Sequence, residues 1–91
     1  KNNKIIVEFF HANWCGHCQA FKPTWNRLTN DNELKKICKF ESYEDSENAD
    51  LINKKINKGY QIEGYPTIFI NGKEYSSSRD FDKIKQDLKN M

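Results

Sequence analysis

The stretch from Trp14 to Cys18, which reads Trp-Cys-Gly-His-Cys, is the most informative part of this 91-residue sequence. Two cysteines separated by two residues can bind a metal ion, crosslink a short loop or exchange disulfides with other molecules. The residues around the pair indicate which use applies. Apolar residues recur at helical spacing from the second cysteine onward, at Cys18, Phe21, Trp25 and Leu28. This spacing predicts that the pair lies at the start of an amphipathic helix, with Asn13 as its N-cap.

The segments on either side of this helix have the pattern of β-strands. Residues 4–10 are mostly apolar, β-branched and aromatic, which is typical of a central strand buried on both faces. Residues 37–43 form a second, less apolar strand nearer an edge of the sheet. Because a helix connects the two strands, they are predicted to be parallel.

The second half of the chain predicts a helix, a hairpin and a final helix. The middle helix should be capped by Asp45 or Ser46 and stop at Gly59. Asn71-Gly72, between two short strands, is the strongest local signal for a hairpin turn. Two sets of residues should form the buried helix faces: Ala49, Ile52 and Ile56, then Phe81, Ile84, Leu88 and Met91. The resulting order, βαβαββα, predicts an α/β fold with a mixed four-stranded sheet flanked by helices.

The composition is that of one small domain over residues 1–91. Fifteen basic and thirteen acidic residues are mixed along the chain, which argues against nucleic acid or an anionic membrane as the main partner. Apolar runs are short, so no membrane insertion is expected. Three cysteines are too few for a disulfide-stapled scaffold, so the close pair is available for chemistry. The domain is expected to be a monomer.

Taken together, the cysteine motif, Pro23 inside the helix and Gly64-Tyr65-Pro66-Thr67 before the hairpin resemble the thioredoxin superfamily. Within it, the chain most resembles the catalytic domains of protein disulfide isomerase, over roughly residues 4–91. The resemblance implies a thioredoxin fold without the family's first strand and helix. It also implies a cis Tyr65-Pro66 bond that packs against the cysteines, and pairing of the Tyr65 backbone with an extended substrate peptide.

The function implied is that of a protein thiol–disulfide oxidoreductase of the oxidase or isomerase type. Cys15, at the helix start, should attack as a thiolate stabilised by free backbone N–H groups, and the more shielded Cys18 should resolve the mixed disulfide. No cofactor is implied. The expected partners are protein or peptide thiols and disulfides, with glutathione or another redox protein as a further partner.

The remaining motif residues have supporting roles in this interpretation. Trp14 and Tyr65 should provide apolar contacts around the sulfurs, with Gly16 and Pro66 beside them. His17, where thioredoxins have proline, should stabilise the Cys15 thiolate and make the disulfide more oxidising. Alternatively, His17 is a solvated side chain without consequence.

Other functions stay open at this level. A thioredoxin-like reductase is the second reading, and a non-catalytic module that only keeps the fold is the third. The cysteine pair could also be a structural clip, or a zinc site that recruits Cys38, His11 or His17, although we predict no metal. Cys38 is otherwise expected to be a small buried residue. An oxidising compartment such as the endoplasmic reticulum fits the motif, and the sequence leaves a cytoplasmic or virus-encoded setting open.

One departure from the family concerns a buried acid that assists proton transfer in its members. Counted back from Cys15 without gaps, Phe9 occupies that position, and Glu8 lies one residue away. In a strand, one residue means the opposite face, so Glu8 could serve only if a bulge shifted the register. The ungapped reading, without an acid in the usual place, is preferred. No role is assigned to His11 outside the zinc alternative, or to Arg79.

Overall fold

A computed structural model describes residues 3–91 and contains a sheet of four strands. In chain order the strands are β1 (Ile5–His11), β2 (Cys38–Glu44), β3 (Thr67–Ile70) and β4 (Lys73–Glu74). They lie in the order β2-β1-β3-β4 across the sheet. The β1–β2 pair is parallel, whereas β3 is antiparallel to both β1 and β4. The predicted mixed sheet, with a central first strand and an edge second strand, is therefore confirmed.

Helices cover both faces of this sheet. They are α1 (Gly16–Thr29), α2 (Asn32–Ile37), α3 (Ala49–Asn57) and α4 (Phe81–Lys89). One face of the sheet packs against α1, α2 and α4, and the buried residues there include Phe9, Trp25, Leu34 and Ile84. The other face is covered by α3 and the segment that follows it, around Phe10, Tyr43, Ile52 and Phe69.

The boundaries of the helices differ from the predicted ones in three places. Helix α2 was not predicted; it is only six residues long, and the Asp31 carboxylate caps it by accepting from two backbone N–H groups. Helix α1 is capped by Cys15 and not by Asn13, because residues 13 and 14 form a turn in which Cys15 N–H donates to Ala12. Helix α3 begins after Asn48 and not at Asp45 or Ser46.

The predicted helix faces are partly correct. Ile52, Ile84 and Leu88 are buried, as expected. Ile56 is 43% exposed, because α3 turns only one side toward the sheet. Met91 is 63% exposed, since it lies past the end of α4. Ile56 and Met91 were wrongly placed in the core, as was Ala49, which is exposed in the first turn of α3.

The turn between β3 and β4 has the geometry that Asn-Gly predicts. Asn71 has φ 51° and Gly72 has φ 82°, the left-handed values that a type I′ turn needs at both central positions. The Asn71 side chain also accepts from Ile6 N–H at 2.9 Å, so that the turn is fastened to β1.

Glu8 and Phe9 point to opposite faces of β1. The pairing of β1 with β2 runs residue by residue from Ile5 to His11, which leaves no place for a bulge. Phe9 packs against Trp25 beneath α1. Glu8 is buried on the other face, where it binds Lys55 at 2.8 Å and the Tyr60 hydroxyl at 2.7 Å. No bulge therefore turns Glu8 toward the face that carries α1.

Candidate active site

The cysteine pair lies where the loop after β1 enters α1. Cys15 is the N-cap of α1, and Cys18 is one turn further along. Both pack against Ala12 and, from the other side, against Tyr65. Cys15 is 7% exposed, whereas Cys18 is fully buried, and both are free thiols. The outer sulfur is thus the one that a large partner can approach.

The surroundings of Cys15 favour its thiolate. The pKa of Cys15 lies below its ordinary value, chiefly because the Cys18 thiol donates a hydrogen bond to its sulfur. The backbone N–H groups of Cys18 and His17 lower it further, as does the positive charge of Arg79, while burial opposes the shift. These are the free N–H groups of a helix start, aimed at an anion.

The surroundings of Cys18 favour its protonated form. Burial raises the pKa of Cys18 to about 11, and the nearby sulfur of Cys15 adds to the increase. A hydrogen bond from the Ala12 backbone and the charge of Arg79 partly offset it. Two cysteines three positions apart on the chain therefore have opposite pKa shifts.

The Gly64–Thr67 segment closes the site opposite α1. The Tyr65-Pro66 peptide bond is cis, and the Tyr65 carbonyl accepts a hydrogen bond from the Cys15 thiol at 3.4 Å. The Thr67 hydroxyl donates to the Gly64 carbonyl at 2.6 Å and holds the segment in its turn. The two residues that were predicted to contact substrate here, Tyr65 and Pro66, are half-buried beside the cysteines.

The other motif residues lie on the outer rim. Trp14 is 74% exposed, and its ring meets the Tyr65 ring edge-on with centroids 6.1 Å apart. Gly16 and His17 are also exposed, and the space around the Gly16 α-carbon is open. The influence of His17 on Cys15 in this geometry comes through its backbone N–H.

Three residues that sequence reasoning did not assign to the site also act on it. Glu44 and Asp45 extend from the end of β2 to the loop that precedes the cysteines: the Glu44 carboxylate accepts from Asn13 N–H at 3.0 Å, and Asp45 accepts from the Trp14 indole at 3.2 Å. Arg79, in the loop before α4, lowers the pKa of both cysteines. The only sequence signal for Glu44 and Asp45 is that they directly follow a strand predicted to run parallel to β1.

The residues considered for a zinc site have different environments. Cys38 is buried in the core beneath α1, and burial raises the pKa of its thiol to about 11. His11 is buried, with Nε2 hydrogen-bonded to the Ser42 hydroxyl at 2.8 Å, whereas His17 is exposed. Within residues 3–91 no group of three or more His, Cys, Asp or Glu side chains is arranged to hold a metal ion. Among the helices of the same residues, none has the length and hydropathy needed to cross a membrane.

Known protein sequences resemble this chain over most of its length. Residues 1–90 match the sequence model of the family described as Thioredoxin. Protein disulfide-isomerase like 2-2 of Arabidopsis thaliana is 38% identical over 90 residues, which cover 93% of this chain and 18% of that protein. The Thioredoxin domain-containing protein 5 homolog of Drosophila melanogaster is 36% identical over 88% of this chain and 20% of that protein. The chain thus spans about a fifth of the length of these relatives.

A solved structure shows the same fold. The first two thioredoxin domains of Naumovozyma dairenensis Eps1p align with a TM-score of 0.78 at 21% identity, over 96% of this chain and 34% of that chain. The resemblance inferred from the cysteine motif and the Gly64–Thr67 segment is therefore confirmed, together with the fold. The chain belongs to the thioredoxin family.

Proposed function

We propose that this domain exchanges disulfides with protein or peptide substrates through Cys15, and that Cys18 resolves the mixed disulfide. The observation that carries the proposal is the placement of the pair at the start of α1, with Cys15 as the N-cap at the rim and Cys18 fully buried, which shifts the two thiol pKa values in opposite directions. Cys15 is biased toward the thiolate at the rim, and Cys18 holds its proton in the interior. A structural clip would need no such asymmetry.

The reaction from the oxidised domain has two exchange steps. A substrate thiolate attacks the Cys15 sulfur, which breaks the Cys15–Cys18 bond and leaves Cys18 as a thiolate that takes up a proton. A second substrate thiolate then attacks the substrate sulfur of the mixed disulfide, and Cys15 leaves as the stabilised thiolate. The substrate gains one disulfide, and the domain keeps the two electrons as two thiols. Glutathione disulfide, accepting those electrons, would restore the oxidised pair.

The shape of the site favours an extended peptide as the substrate. The Tyr65 carbonyl faces Cys15 and can accept from a peptide N–H when no thiol proton occupies it. A groove of about 360 Å³ continues past Pro66 toward Tyr75 and Arg79. Trp14 adds an exposed aromatic surface beside the attacked sulfur.

His17 favours donation of disulfides over reduction. Its backbone N–H stabilises the Cys15 thiolate, and a protonated ring at the helix start would add to this. A stabilised thiolate makes the reduced form more stable and the disulfide more oxidising. Within the range from about −270 mV for thioredoxin to about −180 mV for protein disulfide isomerase, we expect a value near the upper end.

Equilibration with glutathione redox buffers tests this proposal, with the thiol state read by mass after alkylation. His17→Pro removes both the ring and the N–H donor, whereas His17→Ala removes the ring alone. Both should lower the potential, and His17→Pro should lower it further. A wild-type potential near −270 mV would favour the thioredoxin-like reductase instead.

Catalysis itself is tested by oxidation of a reduced peptide with two cysteines, driven by glutathione disulfide. The Cys15→Ser variant should lose turnover entirely. The Cys18→Ser variant lacks the thiol that displaces glutathione, so it should accumulate a mixed disulfide between Cys15 and glutathione. Equal turnover by wild type and Cys15→Ser would contradict catalysis by Cys15 and favour the interpretation as a non-catalytic module.

A further inference from the structure

We propose that Asp45 is a positioning residue that fixes the substrate-facing surface of this site by holding Trp14 and Tyr65 together beside Cys15. This inference rests on the proposed function and names a determinant of its substrate preference. Asp45 lies between β2 and α3, outside the cysteine motif and outside the Gly64–Thr67 segment.

The two oxygens of one carboxylate each bind a different wall of the site. The Trp14 indole Nε1 donates to Asp45 Oδ2 at 3.2 Å, and the Tyr65 hydroxyl donates to Oδ1 at 3.2 Å. The two rings meet edge-on, with an interplanar angle of 77°. Hydrogen bonds to a charged acceptor are stronger than those between neutral groups, and a shared acceptor links the positions of both donors. Asp45 therefore couples the residue before Cys15 to the residue before Pro66.

Asp45 is itself held by the backbone around it. Its N–H donates to the His11 carbonyl at 2.8 Å, at the end of β1. The neighbouring Glu44 carboxylate accepts from the N–H groups of Ser46 and Glu47 on one side and of Asn13 on the other. These bonds hold the pKa of Glu44 at about 2, so that it stays anionic. The arrangement in which Asp45 binds both Trp14 and Tyr65, called the clamp below, is thus anchored on both strands that lead to the site.

The hydrogen bond to Asp45 restricts the Trp14 ring, which would otherwise be free to move. Trp14 is 74% exposed, so packing alone holds it weakly. With its indole N–H bound to Asp45, the ring forms a fixed apolar surface next to Cys15. A substrate with an apolar or aromatic side chain beside its reacting cysteine would lie on this surface without first having to order it. Peptides with a small polar residue there would gain little from the clamp.

Two substitutions of Asp45 separate its geometry from its charge. Asp45→Ala removes both acceptors. Asp45→Asn keeps an acceptor for the Trp14 indole and offers an amide N–H to the Tyr65 hydroxyl, which can accept. Tyr65→Phe removes one of the two bonds and keeps the ring. Asp50→Ala is the matched control, since Asp50 is an exposed aspartate at the start of α3.

The assay compares two reduced dicysteine peptides, one with phenylalanine and one with serine next to the first cysteine. Asp45→Ala should raise KM for the phenylalanine peptide about tenfold, because the peptide must then order the Trp14 side chain itself, and change kcat less than about twofold. Asp45→Asn should recover most of the loss, and Tyr65→Phe should lie between them. KM for the serine peptide should change little in any variant. Equal KM for the two peptides in wild type, or an unchanged KM in Asp45→Ala, would overturn the inference.

Tryptophan fluorescence tests the clamp without any turnover. Quenching of Trp14 by acrylamide, taken as the difference from a Trp14→Phe variant, should rise in Asp45→Ala and stay at the wild-type level in Asp50→Ala. Equal quenching in Asp45→Ala and wild type would contradict the clamp. If wild type oxidised no peptide, the proposed function would fail, while this measurement would still decide whether Asp45 holds the ring.

Discussion

Replacing Lys55 by methionine should destabilise the domain, because it removes the counter-ion of a buried carboxylate. Glu8 lies on the central strand with 2% of its surface exposed, and its Oε2 is 2.8 Å from Lys55 Nζ. The Tyr60 hydroxyl donates to its other oxygen at 2.7 Å. This pair ties α3 and the segment after it to the sheet.

The size of the effect follows from the burial of the two groups. Removal of one partner of a buried ion pair costs about 3–5 kcal/mol. Two features reduce this cost here: the Lys55 side chain is 29% exposed, and Tyr60 still donates to the carboxylate in the variant. We therefore expect a loss of about 2–3 kcal/mol, which lowers Tm by roughly 10–20 °C in a domain of this size.

Urea unfolding followed by circular dichroism would measure the loss of stability in Lys55→Met. Lys54→Met serves as the control, on an exposed lysine of the same helix. Because a neutral amide needs no counter-ion, the double variant Glu8→Gln/Lys55→Met should be more stable than the sum of the single changes predicts. A Lys55→Met loss below about 0.5 kcal/mol, the range of ordinary surface substitutions, would refute the reasoning. Strict additivity of the two changes would refute it as well.

Three further predictions concern the core, the thiols and the acid range. Phe9→Ala should cost about 3–5 kcal/mol in urea unfolding, because the ring fills the core beneath α1; a loss below about 1.5 kcal/mol would show that the site collapses around the gap. Arg79→Ala should raise the pKa of both Cys15 and Cys18, seen as slower alkylation at neutral pH, and an unchanged pH profile would exclude its charge as an influence. The pKa of Glu44 is lowered to about 2 from 4.5, so its stabilisation is complete above pH 4.5 and lost as pH falls toward 2. Wild type should therefore lose stability over that window more steeply than Glu44→Gln, and parallel profiles would contradict this.

The fold could be predicted largely because local patterns agreed with one another. The apolar run of β1, the helical spacing after Cys18 and the Asn71-Gly72 turn each specify one element, and their order leaves few arrangements of the sheet. Helix α2 was missed because six residues carry too little periodicity, and its signal is one capping aspartate, Asp31. The helix starts at Asn13 and Asp45 were wrong because both residues lie within turns that are hydrogen-bonded to other segments.

The site could be predicted where its residues are adjacent in sequence, and not where they come from distant elements. The cysteines and their motif neighbours are contiguous, so the helix start and its free N–H groups could be inferred directly. Asp45 and Arg79 reach the site from the end of β2 and from the loop before α4. Only the sheet order brings these segments together, so charge alone gave no reason to select these two among 28 charged residues.

The central claim is the division of labour between the two cysteines, and the pH dependence of their alkylation tests it most directly. The reduced domain would be treated briefly with iodoacetamide over a range of pH, and each site would be quantified by peptide mass. We expect Cys15 to react with an apparent pKa below that of a free cysteine, about 8.5, and Cys18 to stay protected until the pH approaches about 11. Equal titration of the two thiols, or earlier reaction of Cys18, would contradict it.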